Sequence, residues 1–531
     1  MTARTCEASS SSTDGQEPSV LPGAHLLDRR VRRLGRSGEV LLGGEPFRLL
    51  RLSLNGAQVL DELCRGHAPG GAAAEAMVGR LVAAGFLHPL PPARPVLSAE
   101  VAVVVPVRDD ETGAARLLAR LRRTMDGSIV VVDDGSAAAS AACLARSVSE
   151  AGAALVRRTR SNGPASARNA ARSLIDTPLV AFLDADVLPE TGWLDRLLGH
   201  FEDAAIGAVA PRVAAGPADA GGGRCLAAYE SLSSPLDLGP EPGIVGSHRR
   251  ISYVPSAALV CRREALDAIG WFDDELTVGE DVDLCRRLER EGWLVRYEPR
   301  SVVLHDVRPD LLSFLRQRFR YGTSAAALDR RHAGSVTPFE GNWWAVAAVL
   351  VAGLGLGRRH RRRRRLAAVL WLALTGVPAA SLRSKLSKLG ADHASAAGAA
   401  AAVRAQAWTA AGLATAARRV WWPPAVAAAV LVPRLRRPVG CVLAASELGG
   451  RLPRWWQARR GASRGSDVAE LAGFGTVVGC GTLDDLAYGS GVWAGCARER
   501  SLRAVMPHVV MPKRTPQRRN DSPSSPSSRS R

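Results

Sequence analysis

Two carboxylates stand one residue apart at the end of an apolar run in the segment VAFLDADVLPETGWL, residues 180–194. An unpaired charge is costly to bury, so Asp184 and Asp186 need partners at the point where an apolar strand ends. They either cap a helix that follows or hold a cation. Mg²⁺ and Mn²⁺ suit such a pair, because these ions prefer oxygen ligands and keep bound water. The segment alone leaves both alternatives open.

Acidic residues follow two other apolar runs in the same way. Arg108, Asp109 and Asp110 come after VAVVVPV, and Asp133 and Asp134 come after IVVV. A helix N-cap explains any one of these acids taken singly. Because ligands of parallel sheets bind at the carboxyl ends of the strands, three acidic strand ends in one region predict a shared binding site.

Four more residues near these segments have side chains that suit catalysis or binding. Glu280 and Asp281 follow a glycine in GWFDDELTVGEDVDLCRRL, where they either begin a helix or include a general base for a substrate hydroxyl. His305 ends the run RSVVLHD and is either structural or a metal ligand. Arg168, in RSNGPASARNAARS, is predicted to face a phosphate, a neighbouring aspartate or solvent.

Alternating strand and helix patterns predict the elements that position these residues. Between residues 96 and 332, strand-like runs such as IVVVDDG and LVAFLDAD alternate with helical patterns such as ARLLARLRR and LDRLLGHF. This alternation predicts an α/β domain with a mostly parallel sheet and helices on both faces. Before it, residues 20–95 predict a small winged-helix-like α+β module with two short strands and two helices, closed by the proline-rich linker PLPPARP.

An Ala- and Arg-rich helical region is predicted for residues 343–511. Its apolar runs, such as WWAVAAVLVAGLGLG and LAAVLWLALTGVPAA, are shorter than the roughly 20 residues that span a bilayer. They are therefore either core helices or membrane-associated helices. The basic run RRHRRRRR beside them favours association with the anionic inner face of the cell membrane. Residues 1–19 and 512–531 are rich in serine and predict disorder.

Charge and cysteine content narrow the classes of function. The 531 residues carry a formal net charge of +19, which favours anionic partners such as nucleotide phosphates or an anionic membrane. Nucleic acid is not expected as a partner, because the basic residues are not interleaved with aromatics and the acidic strand ends would repel phosphate without a metal. The nine cysteines form no C-x-x-C pair, and the first residues contain no apolar signal-peptide core. A cytoplasmic location is therefore expected.

Seven segments, taken together, resemble the inverting family 2 glycosyltransferases of the GT-A fold: VVVPVRD, VVDDGS, SNGPASARN, FLDADV, YVPSAALVCRR, GWFDDEL and GEDVDLCRRL. The resemblance implies a hexosyltransferase that uses a nucleotide-sugar donor and Mg²⁺ or Mn²⁺. It also implies a role for each matching residue. Pro106, Arg108, Asp109 and Asp134 would lie at the nucleotide, with Asp134 at the uracil, and Arg168 would lie at the donor. Asp184 would contact the ribose or the metal, Asp186 and His305 would bind the metal, and Asp281 would be the base beside Glu280.

A narrower resemblance rests on LLDRRVRRLGRSGEVLLGGEPFRLLRLS, SSPLDLG and DDLAYGSGVWAGCARERSLRAVMP. These segments are similar to members of the family that act on the precursor of a peptide-derived redox cofactor. The similarity implies UDP-glucose as the donor and a β-1,4-linked oligosaccharide as the product. The first block also resembles small domains that bind precursor peptides, with a packing element that binds nothing as the alternative.

Two other functions stay open from the sequence. A lipid or cell-envelope polysaccharide acceptor is favoured by the apolar helices and by RQRFRYG, in which Gln317, Arg320 and Tyr321 are spaced like the Q-x-x-R-W signature of processive polysaccharide synthases. These three residues are predicted to bind the acceptor or the growing chain. A binding protein with an inactive transferase domain is the alternative from another class, and the intact Asp186 and Asp281 argue against it.

Overall fold

The protein is described by a computed structural model over residues 24–97, 99–216, 224–308, 310–334, 336–356, 361–461 and 473–511. The two segments predicted to be disordered, residues 1–19 and 512–531, lie outside the described residues.

The N-terminal module contains five short strands and two helices: β1 (His25–Leu27), β2 (Arg32–Leu34), β3 (Val40–Gly43), β4 (Arg48–Arg51), α1 (Leu54–Cys64), α2 (Ala72–Ala83) and β5 (Leu87–Pro89). Strands β2, β3 and β4 form an antiparallel sheet, and β1 pairs with β5. The sequence predicted only two strands here. A turn at the buried Asp28, which accepts hydrogen bonds from Arg30, divides the first predicted strand into β1 and β2, and the short strands β4 and β5 were not predicted. Val40 of this module packs against Leu386 and Ala394 of the C-terminal region.

A nine-stranded sheet forms the centre of the protein. Its strands are β6 (Val101–Val107), β7 (Ile129–Asp133), β8 (Ala154–Arg157), β9 (Leu179–Leu183), β10 (Val187–Pro189), β11 (Ile206–Ala215), β12 (Gly243–Val245), β13 (Ala258–Arg262) and β14 (Leu294–His305). The order is β10-β14-β11-β13-β9-β6-β7-β8, with β12 paired to β14. Strands β9, β6, β7 and β8 are parallel neighbours, and β11 is parallel to β14, whereas β13 is antiparallel to β9 and β11.

Helices cover both faces of this sheet, as the alternating pattern predicted. They are α3 (Glu111–Arg122), α4 (Ala138–Glu150), α5 (Pro164–Ala170), α6 (Trp193–Leu198), α7 (Arg224–Ser233), α8 (Arg263–Ile269) and α9 (Glu280–Arg290). Alternate residues of β6 point to opposite faces. Val103 packs with Leu117 of α3 on one face, and Val104 packs with Ala165 of α5 and Leu284 of α9 on the other. The predicted α/β class is confirmed.

The C-terminal region is helical, again as predicted. It contains α10 (Leu311–Arg331), β15 (Glu340–Asn342), α11 (Trp343–Leu356), α12 (Arg361–Lys388), α13 (Ala394–Arg419), α14 (Trp422–Leu431), α15 (Arg436–Gly461), α16 (Phe474–Arg498) and β16 (His508–Val510). Helix α12 has 28 residues, because the arginines of the basic run continue directly into the apolar run. Within the described ranges it is the one helix that is long and apolar enough to cross a membrane, and its apolar window is not buried by the protein.

Candidate active site

The D-x-D pair does not cap a helix. The chain continues from Asp186 into the strand β10, and the next helix, α6, begins at Trp193 after Gly192. The carboxylate of Asp184 accepts a hydrogen bond of 2.6 Å from Nη2 of Arg168. The carboxylate of Asp186 lies 3.5 Å from Nε2 of His305 and 3.3 Å from Nη2 of Arg308. The helix-cap alternative is therefore excluded. Asp184 pairs with Arg168, whereas Asp186 lies next to His305 and Arg308.

The surroundings of Asp186 fit a divalent cation. Burial raises the pKa of this carboxyl, although the neighbouring His305 and Arg308 act in the opposite direction. A bound cation would favour the ionised form of this buried carboxyl. In the described part of the chain, no group of three or more His, Cys, Asp or Glu side chains is arranged as a complete metal site. Because Mg²⁺ is commonly held by one or two carboxylates together with substrate phosphates and water, Asp186 could hold a cation with few other protein ligands, and the assignment of Asp186 and His305 to a metal stays a prediction.

Arg168 ties the D-x-D pair to the start of α9. Its side chain is 1% exposed and donates to Asp184 at 2.6 Å and to Glu280 at 3.0 Å. The guanidinium also lies 5.2 Å from the centre of the Phe272 ring. The solvated-face alternative is excluded. Of the roles predicted for Arg168, the structure places it beside the aspartate, with a second carboxylate on its other side.

The predicted uracil-binding residue, Asp134, lies under the loop of residues 161–163. Its buried carboxylate accepts hydrogen bonds from Oγ of Ser161 at 2.7 Å and from the backbone N–H of Gly163 at 3.0 Å. It also lies 3.1 Å from Nη1 of Arg158. Gly135, with φ of +77°, allows this approach, because a Cβ there would come within 2.8 Å of the Ser161 nitrogen. Asp134 thereby holds the loop that closes this edge of the sheet.

The end of β6 lies next to the same loop. Arg108 is exposed and donates from Nη1 to Oγ of Ser161 at 3.1 Å. Asp109, with a left-handed φ of 51°, accepts from the backbone N–H of Ala137 at 2.8 Å. Pro106 lies within β6 and is half-buried. Asp110 caps α3 by accepting a hydrogen bond from the N–H of Gly113, so the helix N-cap alternative is correct for this residue.

Glu280 and Asp281 begin α9 immediately after Gly279, whose φ is +86°. This left-handed φ favours glycine, and a Cβ on Gly279 would also lie 2.8 Å from the Leu328 side chain of α10. Burial and the adjacent Glu280 raise the pKa of Asp281 to about 7. Glu280 accepts a hydrogen bond from Arg168, whereas Asp281 accepts one from the backbone N–H of Val282. A carboxylate with a pKa near neutrality suits general-base chemistry.

The three residues of the Q-x-x-R pattern are divided by the structure. Gln317 donates from Nε2 to the hydroxyl of Tyr321 at 3.0 Å, and both line a small cleft. His305 and Arg308 line the same cleft. Arg320 is exposed and is not among the residues that line it. Two of the three predicted chain-binding residues therefore share a cleft with the two basic residues that lie next to Asp186.

Sequence reasoning missed two arginines that line this cleft. Arg308 lies near Asp186, and Arg318 is 2% exposed and pairs with Glu230 at 2.7 Å. In a chain with abundant arginine, Arg318 had no distinguishing signal in the sequence. The one signal for Arg308 was its position three residues after His305.

Comparisons with known proteins identify the family. Residues 102–265 match the family model described as Glycosyl transferase family 2. The pre-mycofactocin glycosyltransferase of Mycobacterium tuberculosis is 40% identical over 491 residues, which cover 91% of this chain and 97% of that protein. A shorter match of 60 residues, also 40% identical, covers 11% of this chain and 20% of the N-acetylglucosaminyl-diphospho-decaprenol L-rhamnosyltransferase of the same organism.

Solved structures give weaker similarity. The mannosyltransferase PcManGT from Pyrobaculum calidifontis, in complex with GDP-Man and Mn²⁺, aligns with a TM-score of 0.35 and 18% identity, covering 54% of this chain and 88% of that one. TarS residues 1–349 of S. aureus, in complex with UDP-GlcNAc, aligns with a TM-score of 0.33 and 16% identity, covering 43% and 66%.

Proposed function

This chain belongs to the family of the pre-mycofactocin glycosyltransferases, and on that basis we propose that it transfers glucose from UDP-glucose to the peptide-derived mycofactocin precursor. We propose further that the reaction inverts the anomeric carbon and builds a β-1,4-linked oligosaccharide. The observation that carries the proposal is the pair of ion pairs made by Arg168, which lies 2.6 Å from Asp184 of the D-x-D pair and 3.0 Å from Glu280, the neighbour of Asp281. One side chain thus links the proposed diphosphate site to the carboxylate pair that contains the proposed base.

The donor would lie along the carboxyl ends of the strands. Asp134 and the loop of residues 161–163 would receive the uracil, with Arg108 and Asp109 at its edge. Asp186 and His305 would hold Mg²⁺ or Mn²⁺ near the diphosphate, with Asp184 at the ribose or the metal. A bound cation there would neutralise the diphosphate and so make UDP a better leaving group. Arg308 adds a fixed positive charge at the same place.

Asp281 would take the proton of the acceptor hydroxyl as its oxygen attacks the anomeric carbon. The electron pair of the bond between that carbon and the phosphate oxygen leaves with UDP. One displacement converts an α-linked donor into a β-linked product, so one catalytic carboxylate suffices. Asp281 is assigned as the base rather than Glu280, because the Glu280 carboxylate is already ion-paired to Arg168.

Transfer of labelled glucose tests this proposal. We expect the purified protein to move label from UDP-glucose to the precursor in the presence of Mn²⁺. Excess EDTA or the variant Asp186→Asn should lower the rate at least about a hundredfold, because metal ligands contribute on that scale. The matched control is Asp176→Asn, which removes a fully exposed carboxylate and should leave the rate unchanged.

Each part of the proposal has its own contradicting outcome in this assay. Hydrolysis of UDP-glucose without transfer to the precursor would contradict the acceptor and keep the enzyme class. A rate insensitive to EDTA would contradict the cation. A lipid acceptor is the second candidate, favoured by the short match to a decaprenol-linked rhamnosyltransferase. Label in the organic phase after incubation with membrane lipids would support that candidate.

We also propose that the protein associates with the anionic inner face of the cell membrane through α12. Five arginines, residues 361–365, are exposed at the start of this helix, and apolar side chains such as Leu366, Leu372 and Val377 are more than half exposed beyond them. Each arginine near an anionic surface is worth about 1 kcal/mol. The juxtaposition of exposed charge and exposed apolar surface supports this proposal.

Vesicle binding tests this association. We expect the full chain to sediment with vesicles of phosphatidylglycerol at low salt and not with vesicles of phosphatidylcholine. Replacing Arg361, Arg362 and Arg363 with glutamine should weaken binding about a hundredfold, since three charges correspond to about 3 kcal/mol. A triple glutamine variant at other exposed arginines, Arg36, Arg65 and Arg123, is the control. Equal losses in both variants would mean that net charge, and not α12, binds the vesicles.

A further inference from the structure

The small cleft that contains Gln317 and Tyr321 adjoins the proposed diphosphate site. Arg308, which lies 3.3 Å from Asp186, is part of its lining. The polar side chains in the lining include Glu230, Ser234, Arg308, Gln317, Arg318 and Tyr321. The cleft has room for about one water-sized group, so it admits a single small substituent, such as a hydroxyl group, and not a whole sugar ring.

Glu230 of α7 and Arg318 of α10 form an ion pair in the wall of this cleft. Nη2 of Arg318 donates to Oε1 of Glu230 at 2.7 Å, and the two side chains are 2% and 10% exposed, respectively. In the described part of the chain, Nε of Arg318 is buried and has no hydrogen-bond partner. A guanidinium has five N–H donors and a carboxylate has about four acceptor positions, whereas a hydroxyl group both donates and accepts. The pair therefore suits one hydroxyl group held between the carboxylate and the guanidinium.

Asp484 of α16 contacts Arg318 without lining the cleft. Its Oδ1 lies 3.5 Å from Nε of Arg318, and its Oδ2 accepts a hydrogen bond of 2.8 Å from the hydroxyl of Tyr229, the neighbour of Glu230. The guanidinium of Arg318 also lies 4.6 Å from the centre of the Phe314 ring. A buried charge that loses its partner is strongly unfavourable, so Asp484 holds Arg318 in this position. The C-terminal helix α16 thus supports a wall of the cleft.

The adjacent carboxylate, Asp485, belongs to a different set of ion pairs. It lies 2.6 Å from Nη2 of Arg451 and pairs with Arg418 and Arg419, three arginines that do not line the cleft. Asp484 and Asp485 are 3% and 2% exposed. Two neighbouring carboxylates of α16 are therefore equally buried, but only one of them contacts the cleft wall.

We infer that this cleft is a pocket for one hydroxyl group of a sugar ring, in which Glu230 and Arg318 determine specificity and Asp484 is a positioning residue that acts through Arg318. The inference rests on the proposed function, which brings sugar hydroxyls next to the diphosphate site. The hydroxyl group belongs either to the transferred glucose or to the terminal sugar of the growing acceptor, since both have the same chemistry. A site built to bind a hydroxyl group rejects an analogue that lacks it, because its buried polar groups are then left unpaired.

Transfer from and to sugars that lack one hydroxyl group tests the inference. In the donor arm, UDP-glucose is compared with analogues that each lack one hydroxyl group of the glucose. In the acceptor arm, the precursor that carries one glucose is compared with precursors that carry a deoxyglucose with the attacking hydroxyl kept. For one position in one arm, the wild type should lose at least about a hundredfold in kcat/KM.

Three variants show whether this selectivity comes from the cleft. Glu230→Gln removes the charged acceptor and should lower the selectivity at least about tenfold. Asp484→Asn keeps an oxygen for Tyr229 but removes the charge that holds Arg318, so it should lower the selectivity at least about threefold. Asp485→Asn is the matched control and should leave the selectivity unchanged. The selectivity is a ratio of two kcat/KM values from one preparation, so it does not depend on the folded fraction.

Each outcome decides the inference. Lower selectivity in Glu230→Gln and Asp484→Asn, but not in Asp485→Asn, supports it, and the arm that shows the loss identifies the sugar. Equal losses in Asp484→Asn and Asp485→Asn would give α16 a structural role only and overturn the positioning role. Unchanged selectivity in Glu230→Gln overturns the pocket, and if that variant does not fold, unchanged selectivity in Asp484→Asn overturns it. A wild type that accepts every analogue as well as glucose also overturns it, whereas a wild type that transfers no glucose contradicts the proposed function on which the inference rests.

Discussion

Asp281→Asn is expected to lower the kcat of glucose transfer about a thousandfold, since a positioned general base contributes between about a hundredfold and ten-thousandfold. The amide has nearly the same shape as the carboxylate but cannot take the proton of the acceptor hydroxyl. The affinity for UDP-glucose, measured by calorimetry, should stay within about twofold of the wild type. A variant that keeps more than a tenth of the wild-type kcat would contradict the assignment of the base.

The pH dependence of transfer follows from the same carboxyl. Asp281 has a pKa of about 7, with burial as the largest cause, followed by the negative charge of Glu280, which raises it, and the positive charge of Arg168, which lowers it. Tyr253, Tyr321 and Cys285 also lie near enough to Asp281 to interact with it electrostatically. Because the base must be ionised, kcat/KM is expected to rise tenfold per pH unit below about 7 and to level off above it.

Glu280→Gln provides a sharper test of this pH profile. Removing the neighbouring negative charge should lower the pKa of Asp281, so the rise of kcat/KM should move to a lower pH. Asp176→Asn removes a fully exposed carboxylate that does not belong to this pair, and it should leave the pH profile unchanged. A rise that stays near pH 7 in Glu280→Gln would mean that another group controls the profile.

The same raised pKa of Asp281 should make the folded protein less stable as the pH rises, whereas activity increases. The folded-state pKa lies above the ordinary value of 3.8, so the stabilisation from the neutral carboxyl is complete below pH 3.8 and is lost as the pH rises through about 7. Asp281→Asn, which is neutral at every pH, is therefore expected to melt at a higher temperature than the wild type at pH 8. The difference should shrink as the pH is lowered toward 4.

Arg168→Met is expected to destabilise the protein by about 3–5 kcal/mol, the usual cost of removing one partner from a buried ion pair. Methionine can occupy much of the same volume, but the carboxylates of Asp184 and Glu280 would lose the cation between them. The midpoint of urea unfolding measures the loss. The double variant Arg168→Met/Glu280→Gln should recover part of it, because one of the two uncompensated charges is then removed.

Arg172→Met is the matched control for this prediction. Arg172 is half exposed and pairs with Asp267 at 2.9 Å, so its loss should cost less than about 1 kcal/mol. Equal losses at the two positions would contradict the structural role of Arg168. Weaker UDP-glucose binding with unchanged stability would instead show that Arg168 contacts the donor diphosphate, which is the other role predicted for it.

The sequence predicted the fold class and the family well. Apolar runs of five to seven residues, such as β6, β7 and β9, indicated a sheet because each run is buried on both faces. Ordered motifs in this domain resembled family 2 glycosyltransferases, and the narrower resemblance to the mycofactocin enzyme rested on segments outside it. Both resemblances are confirmed by the comparisons. The assignments of donor, linkage and individual site residues stay predictions.

Long-range contacts could not be predicted in the same way. The spacing of Q-x-x-R indicated Arg320, yet the arginine that is buried beside the cleft is Arg318, because the packing of α10 against α7 and α16 decides which face of the helix is covered. The apolar run after Arg365 was predicted to be too short to span a bilayer. The structure joins it to the preceding arginines in one helix of 28 residues, since arginine continues a helix without interruption.

The sequence by itself determined the elements and the chemistry of their ends: apolar strands that form the sheet, the D-x-D pair after β9, and a carboxylate pair after a glycine. Only the tertiary structure decided the partners. Arg168 joins Asp184 to Glu280 across more than 90 residues of chain, and α10 packs against both α16 and the turn that carries the proposed base. The reason is physical: local periodicity records which face of an element is buried, whereas ion pairs and helix contacts depend on which elements the fold brings together.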